Sequence, residues 1–329
     1  MFLGYIHYFR ALAIFFIIMG HSIDIFIWND IYIERTLRIL LSNGTVLFVF
    51  IAGYLFQHLS SKFDTKKHFK SKIKNVITPY FIVSIPAIVI FTTILERDMW
   101  AGFYDNSILE QVGLFYLTGM HVPGFWFIPM IAIFYVIAPI LVKTDKNKTI
   151  YFCLPLFIAL SCFVSRVGHP PQSFIHFFSA YLLGMYCSKF KEIINPLISR
   201  NIFIAFTFTL MSFFAVYEFL FMEGTFTYIN YLQKLSICIF FLGLFIKFNS
   251  YLNSKFISVI ADTSFGVFFI HSYYLASGKL LYLKINGEPA VGNLVLYFII
   301  GISSLLICTL IITLIKRGFG KHSKLFVGS

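Results

Sequence analysis

What this chain lacks is charge. Only 12% of its 329 residues are Asp, Glu, Lys or Arg, and just 14 are acidic, whereas 59% are hydrophobic and mean hydropathy is +0.84. A water-soluble domain of this length cannot carry that composition without exposing large apolar patches, so the solvent must be lipid. Proline (10) and tryptophan (3) are sparse, and no stretch is rich in Gly, Ser or Pro. With no linker, low-complexity tract or internal repeat to divide the chain, a single membrane domain over 1–329 is expected, with no room for a separate soluble one. The five cysteines, Cys153, Cys162, Cys187, Cys238 and Cys308, form no CxxC pair and have no histidine at ligand spacing. They read as packed thiols, and no metal is expected.

What is present is a succession of long apolar runs. A helix needs roughly 20 apolar residues to cross the hydrocarbon core. Hydropathy places spans near 5–27, 40–59, 76–95, 122–142, 150–165, 172–187, 202–221, 229–246, 257–281 and 290–315. The fold class is therefore all-α, a polytopic bundle of about ten transmembrane helices, the fifth and sixth of them short. The first run ends in Trp28, Asn29 and Asp30 instead of a small-residue cleavage site, so it is expected to stay as a helix.

The formal net charge of +12 would suggest nucleic acid in a soluble protein, but here its placement is a topology signal, and no nucleic-acid partner is expected. Alternate connections hold Lys62, Lys66, Lys67, Lys70, Lys72 and Lys74, then Lys143, Lys146 and Lys148, then Lys189, Lys191 and Arg200, then Lys247 and Lys255, with Lys316, Arg317, Lys321 and Lys324 at the tail. The other connections hold Arg35, Arg38, Arg97, Arg166 and Lys284 among more numerous acids such as Glu96, Asp98, Asp105 and Glu110. Both termini are thus expected in the cytoplasm.

Ionisable groups within spans are costly and mark function by default. They are Arg10, His21, Asp24, His176, Glu218, Lys234, Asp262 and His271. Arg10 and His21 are eleven residues apart, close to three helical turns, so they share one face of the first helix roughly 16 Å apart along its axis. Asp24, three residues on, continues the stripe as a carboxylate able to orient an imidazole. Bland readings stand beside each: Arg10 snorkelling to headgroups, Asp24 as an interfacial residue, His21 and His271 as hydrogen-bonded packing groups, Glu218 and Lys234 snorkelling outward. His271 lies as deep in its helix as His21 in the first, and the two are expected to face one cavity. The lysines between Ser60 and Asn75 are either a topogenic loop on anionic lipid or a dock for a polyanionic molecule.

These residues resemble a family. YFRALAIFFIIMGHS, with Arg10 and His21, is similar to the first helix of the acyltransferase-3 membrane proteins. Thr45 to Phe56 (TVLFVFIAGYLF), Gly124 to Leu141 (GFWFIPMIAIFYVIAPIL) and Ile257 to Leu275 (ISVIADTSFGVFFIHSYYL) resemble three further family segments in the expected order. Ala52 departs from the serine usual at its position. No one motif is specific; the four together span nearly all the chain.

The resemblance implies a bacterial inner-membrane, multi-pass O-acyltransferase. It would move an acetyl or other short acyl group from cytoplasmic acyl-CoA to a hydroxyl of a surface polysaccharide or its lipid-linked precursor. The expected donor is acetyl-CoA, its phosphates docked on Arg10 and some of Lys66, Lys67, Lys70, Lys72 and Lys74. His21 is the expected general base or acyl carrier, and Asp24 or His271 its orienting group. A flippase using the same His and Asp residues as a proton relay is the competing class.

Overall fold

The computed structural model describes residues 3–166, 169–224 and 226–328. Among them no strand forms, and the polypeptide is a bundle of helices. In chain order these are α1 (Gly4–Ser22), α2 (Ile31–Leu41), α3 (Thr45–Leu59), α4 (Thr65–Lys72), α5 (Thr78–Thr93), α6 (Ile108–Thr118), α7 (Phe127–Asn147) and α8 (Leu154–Phe163). There follow α9 (Pro170–Lys189), α10 (Lys191–Ile198), α11 (Asn201–Phe221), α12 (Tyr228–Lys247), α13 (Lys255–Asn286), α14 (Leu294–Phe319) and α15 (Ser323–Val327).

Eight spans among the described residues are long and apolar enough to cross a membrane. The two other predicted spans fall on α8 and α9. The first, with 10 residues, is too short. The second has 20 residues but keeps a polar face, with Ser173, His176, Ser179 and Ser188 buried. It tolerates them because it crosses α3 instead of facing lipid: a Cβ at Gly53 would lie 2.0 Å from the Tyr181 carbonyl oxygen, and one at Gly184 2.0 Å from that of Phe50. Two glycines thus set a backbone contact that larger residues forbid. Hydroxyls close the interior, Ser179 bonding Ser161 and Tyr231 at 2.8 Å each.

Helices also form in the connections and the tail, where none was foreseen: α2, α4, α6, α10 and α15. The segment after the first span folds as α2, whose first turn is satisfied by Asp30 accepting from the amides of Tyr32 and Ile33. In α6, Ser107 and Glu110 form a capping box, and Gly119 at φ +70° ends the helix. Its hydrogen bonds to Ser107 hold the Glu110 carboxyl below its ordinary range.

The core is centred on α1, which packs on α3, α12, α13 and α14 and buries Phe9, Ala13, Ile14 and Ile18 completely. It runs parallel to α13, and this pairing positions the candidate site. With 32 residues, α13 is about 48 Å long, well beyond a bilayer core of about 30 Å, so its last turns, Leu280 to Ile285, stand exposed.

Candidate active site

Two groups of cavities lie along α1. At the end of the bundle carrying α4 and α15, a cavity of about 550 Å³ opens between α1, α3, α7 and α9. Arg10 reaches it from α1 and donates to Ser264 Oγ at 3.2 Å. Lys62, Lys67 and Lys72 stand on its rim, Lys72 Nζ 4.6 Å from the Tyr135 ring centre. His68 packs on Phe63 and presents a buried Nε2 with no partner. Of the residues expected to hold a polyanion, Arg10, Lys67 and Lys72 line this cavity. Lys66, Lys70 and Lys74 do not; spaced four residues apart, they form one exposed stripe on the outer side of α4 and the turn after it. Lys62, part of the same lysine-rich connection but not of the expected donor-docking set, also lines the cavity. Ala52 also lines the wall, so a serine hydroxyl there would have faced into it.

At the other end of α1, His21 and His271 meet with ring centroids 5.2 Å apart and planes tilted by 48°. His271 is fully buried. Its Nδ1 lies 2.7 Å from the Phe268 carbonyl and 3.2 Å from that of Val267, two acceptors that require the proton on Nδ1 and leave Nε2 with the lone pair. Ser272 Oγ stands 3.2 Å from that nitrogen, but its one hydrogen goes to the Pro123 carbonyl at 2.8 Å. The ring is therefore locked. His21 differs: among the described residues no hydrogen bond engages it, and it faces two small cavities of about 130 and 180 Å³. Gly124, at φ +89°, brings backbone close to it, since a Cβ there would sit 3.5 Å from His21 Nε2. The positive φ calls for glycine, whereas a Cβ there would meet the ring at ordinary van der Waals distance.

Asp24 does not orient His21. The α-helix ends at Ser22, and the carboxylate turns outward to Arg38 of α2, 2.9 Å away, which also pairs with Glu34 at 2.7 Å. The carboxylate partner expected for the imidazole is thus engaged by a guanidinium from a helix that sequence reading treated as a connection.

Arg166, counted in the sequence only as an outer charge, enters the His21 cavity from the connection between α8 and α9. Its guanidinium lies 5.1 Å from the Trp126 ring and 3.7 Å from that of Phe226, and donates to Asn43 Oδ1 at 3.1 Å. Burial pushes its pKa down to about 10, which still leaves a cation at neutral pH. No spacing in the sequence links positions 21, 43 and 166.

Arg10 and His21 do not share one open channel. Phe265 and Phe127 line the basic cavity and Phe268 the far one; Phe268 stacks on Phe265 at 6.2 Å and meets Phe127 at 5.4 Å. An aromatic layer closes the space between, because bulky side chains occupy the first turn of α7 and the middle of α13.

The remaining intramembrane groups are structural. His176 Nδ1 bonds the Val164 carbonyl at 2.7 Å. Glu218 and Lys234 do not snorkel outward: Glu218 accepts from Thr227 and Asn230, and Lys234 caps the Ile39 and Leu40 carbonyls at the end of α2. Asp262 is exposed, with Lys316 donating to its backbone oxygen at 3.2 Å.

A membrane helix bundle with a basic cavity at one end of a central helix and a cavity-facing imidazole at the other defines a class: an integral membrane protein that holds polar groups at depth. The family model for the acyltransferase domain matches residues 3–313. The chain belongs to the acyltransferase-3 family and is a multi-pass membrane acyltransferase. No curated protein and no solved structure matches it.

Proposed function

We propose that the protein transfers an acetyl or similar short acyl group from cytoplasmic acyl-CoA to a hydroxyl of a surface polysaccharide or its lipid-linked precursor at a bacterial inner membrane. The observation that carries this is the arrangement on α1: Arg10 in a lysine-rimmed cavity and, three turns further on, His21, which no hydrogen bond engages among the described residues. The positive-inside bias puts the basic end in the cytosol.

In this reading the anionic end of acyl-CoA rests among Arg10, Lys62, Lys67 and Lys72, and the pantetheine arm lies along α1 toward His21. Arg10 holds phosphate or polarises a carbonyl; its charge does not switch off. Reaching His21 requires the layer of Phe127, Phe265 and Phe268 to part by side-chain rotation. Neutral His21 then takes the proton of the acceptor hydroxyl as its oxygen attacks the thioester carbonyl. When the tetrahedral intermediate collapses, the C–S bond breaks and His21 returns the proton to the leaving thiolate. His271, with Nδ1 tied to backbone, keeps an acceptor nitrogen toward this space and fixes the ring packed against His21.

The test compares the surface glycan of cells with and without the gene by proton NMR. Loss of O-acetyl signals from an otherwise normal polymer is the expected result. Loss of the polymer itself would replace this reading with transport, and an unchanged acetyl content would reject it.

A further inference from the structure

The outer end of the bundle holds a cavity that the chemistry at His21 does not use. It measures about 390 Å³ and is framed by α2, the end of α11 and the start of α12. Arg38 and Ser42 line both this cavity and the one containing His21, so the two abut.

Its polar groups are held ready. Arg38 is clamped between Asp24 and Glu34. Arg35 spans from α2 to the Glu218 and Met222 carbonyls and lies over the Phe219 ring. Asn230, 2% exposed, donates through Nδ2 to the Ile39 carbonyl and to Glu218, which settles its orientation and leaves Oδ1 buried without a donor. In the adjoining cavity Asn43, 5% exposed, accepts from Arg166 through Oδ1 and leaves Nδ2 without an acceptor. Buried polar atoms are rarely left unpaired in native proteins. Here one acceptor and one donor are orphaned at the walls of two abutting cavities. A hydroxyl, which gives one hydrogen and accepts others, satisfies both kinds of atom.

Charge narrows the class. Among the residues that line the two cavities, Arg35, Arg38 and Arg166 stand against Asp24, Glu34, Glu218 and Glu223, three cations to four anions, so the region offers no excess of positive charge to an anionic ligand. We propose that this outer cavity is the acceptor subsite. It binds an uncharged, polyhydroxylated sugar ring through Arg35, Arg38 and Asn230, and extends one hydroxyl past Asn43 to His21. The assignment rests on the acyl-transfer reading above.

The experiment uses the full-length protein in proteoliposomes with radiolabelled acetyl-CoA and, as acceptor probe, surface glycan of the host cell stripped of O-acetyl groups by mild base. Ile31, 68% exposed at the lip of the cavity, is replaced by Trp to narrow the entrance, which its exposure makes compatible with folding. Asn43→Asp removes the orphan donor while keeping the oxygen that Arg166 needs, at a positive φ that Asp tolerates. Asn43→Asp is expected to raise KM for the glycan about tenfold, the scale of one lost hydrogen bond, and Ile31→Trp to raise it by blocking entry, while KM for acetyl-CoA stays constant in both. The product's acetyl group is expected on an uncharged ring by NMR. Unchanged glycan KM in both variants, or acetylation confined to an acidic sugar, would overturn the subsite while leaving acyl transfer standing. Failure of the wild-type protein to acetylate the glycan at all would overturn the acyl-transfer reading itself.

Discussion

Replacing His21 by Ala separates chemistry from folding more sharply than any other change in this bundle. The imidazole has no hydrogen bond to lose among the described residues, faces cavities, and its one close ring contact is His271 at 5.2 Å. Removing it orphans no partner, so the folding cost should be about 1 kcal/mol, the centre of the range for point mutants. On the proposed mechanism the reaction loses its proton acceptor, worth about 10²- to 10⁴-fold in rate, or roughly 3 to 5 kcal/mol of barrier. The assay is acetyl transfer from radiolabelled acetyl-CoA in proteoliposomes, read beside the thermal midpoint of the same preparation. Transfer should fall at least a hundredfold with KM for acetyl-CoA unchanged, and the midpoint should stay close to wild type. His21→Gln, which keeps a polar side chain in the same space but cannot act as a base, should fail equally. A glutamine variant with wild-type kcat would refute proton transfer by His21.

Two further outcomes follow from where the cations and a buried histidine sit. Lys72→Ala, at the wall of the basic cavity, should raise KM for acetyl-CoA several-fold, whereas Lys66→Ala, on the exposed stripe of α4, should leave it alone; equal effects would mean a diffuse field and no docking site. His121, in the connection before α7, is fully buried, with Nδ1 on the Phe115 carbonyl at 3.0 Å and Nε2 unpartnered. Burial, aided by Arg97, lowers its pKa from 6.5 to about 4. The unfolded chain binds this proton first, so stability is whole above about pH 6.5 and declines as pH falls toward 4, by about 3 kcal/mol in all. Thermal midpoints of detergent-solubilised protein between pH 7 and 4 should show this decline, and His121→Asn should flatten that part of it; an identical slope in the variant would contradict the assignment.

How much was legible in the sequence differs by element. Each apolar run marked a helix, because the cost of leaving backbone unpaired in lipid admits little else, and a run of about 20 residues is written locally. The α1 stripe was equally readable, since eleven residues fix an angle and a rise on a continuous helix. The pairing of His21 with His271 was inferable from matching depth on parallel helices. Asp24 was misread because helical periodicity was carried past Ser22, where α1 stops and the carboxylate meets Arg38. The polarity of α9 likewise made sense only once Gly53 and Gly184 placed it against α3.

By itself the sequence determined solvent, helix content, family and the register of the Arg10 and His21 face, all properties of local composition and period. Tertiary structure alone decided which lysines face the cavity, that aromatic rings close the space between Arg10 and His21, and that Arg166, Asn43 and Arg38 converge on the cavity beside His21. Those facts depend on how helices distant in sequence rotate and cross, which packing settles over the whole bundle at once and no single segment encodes.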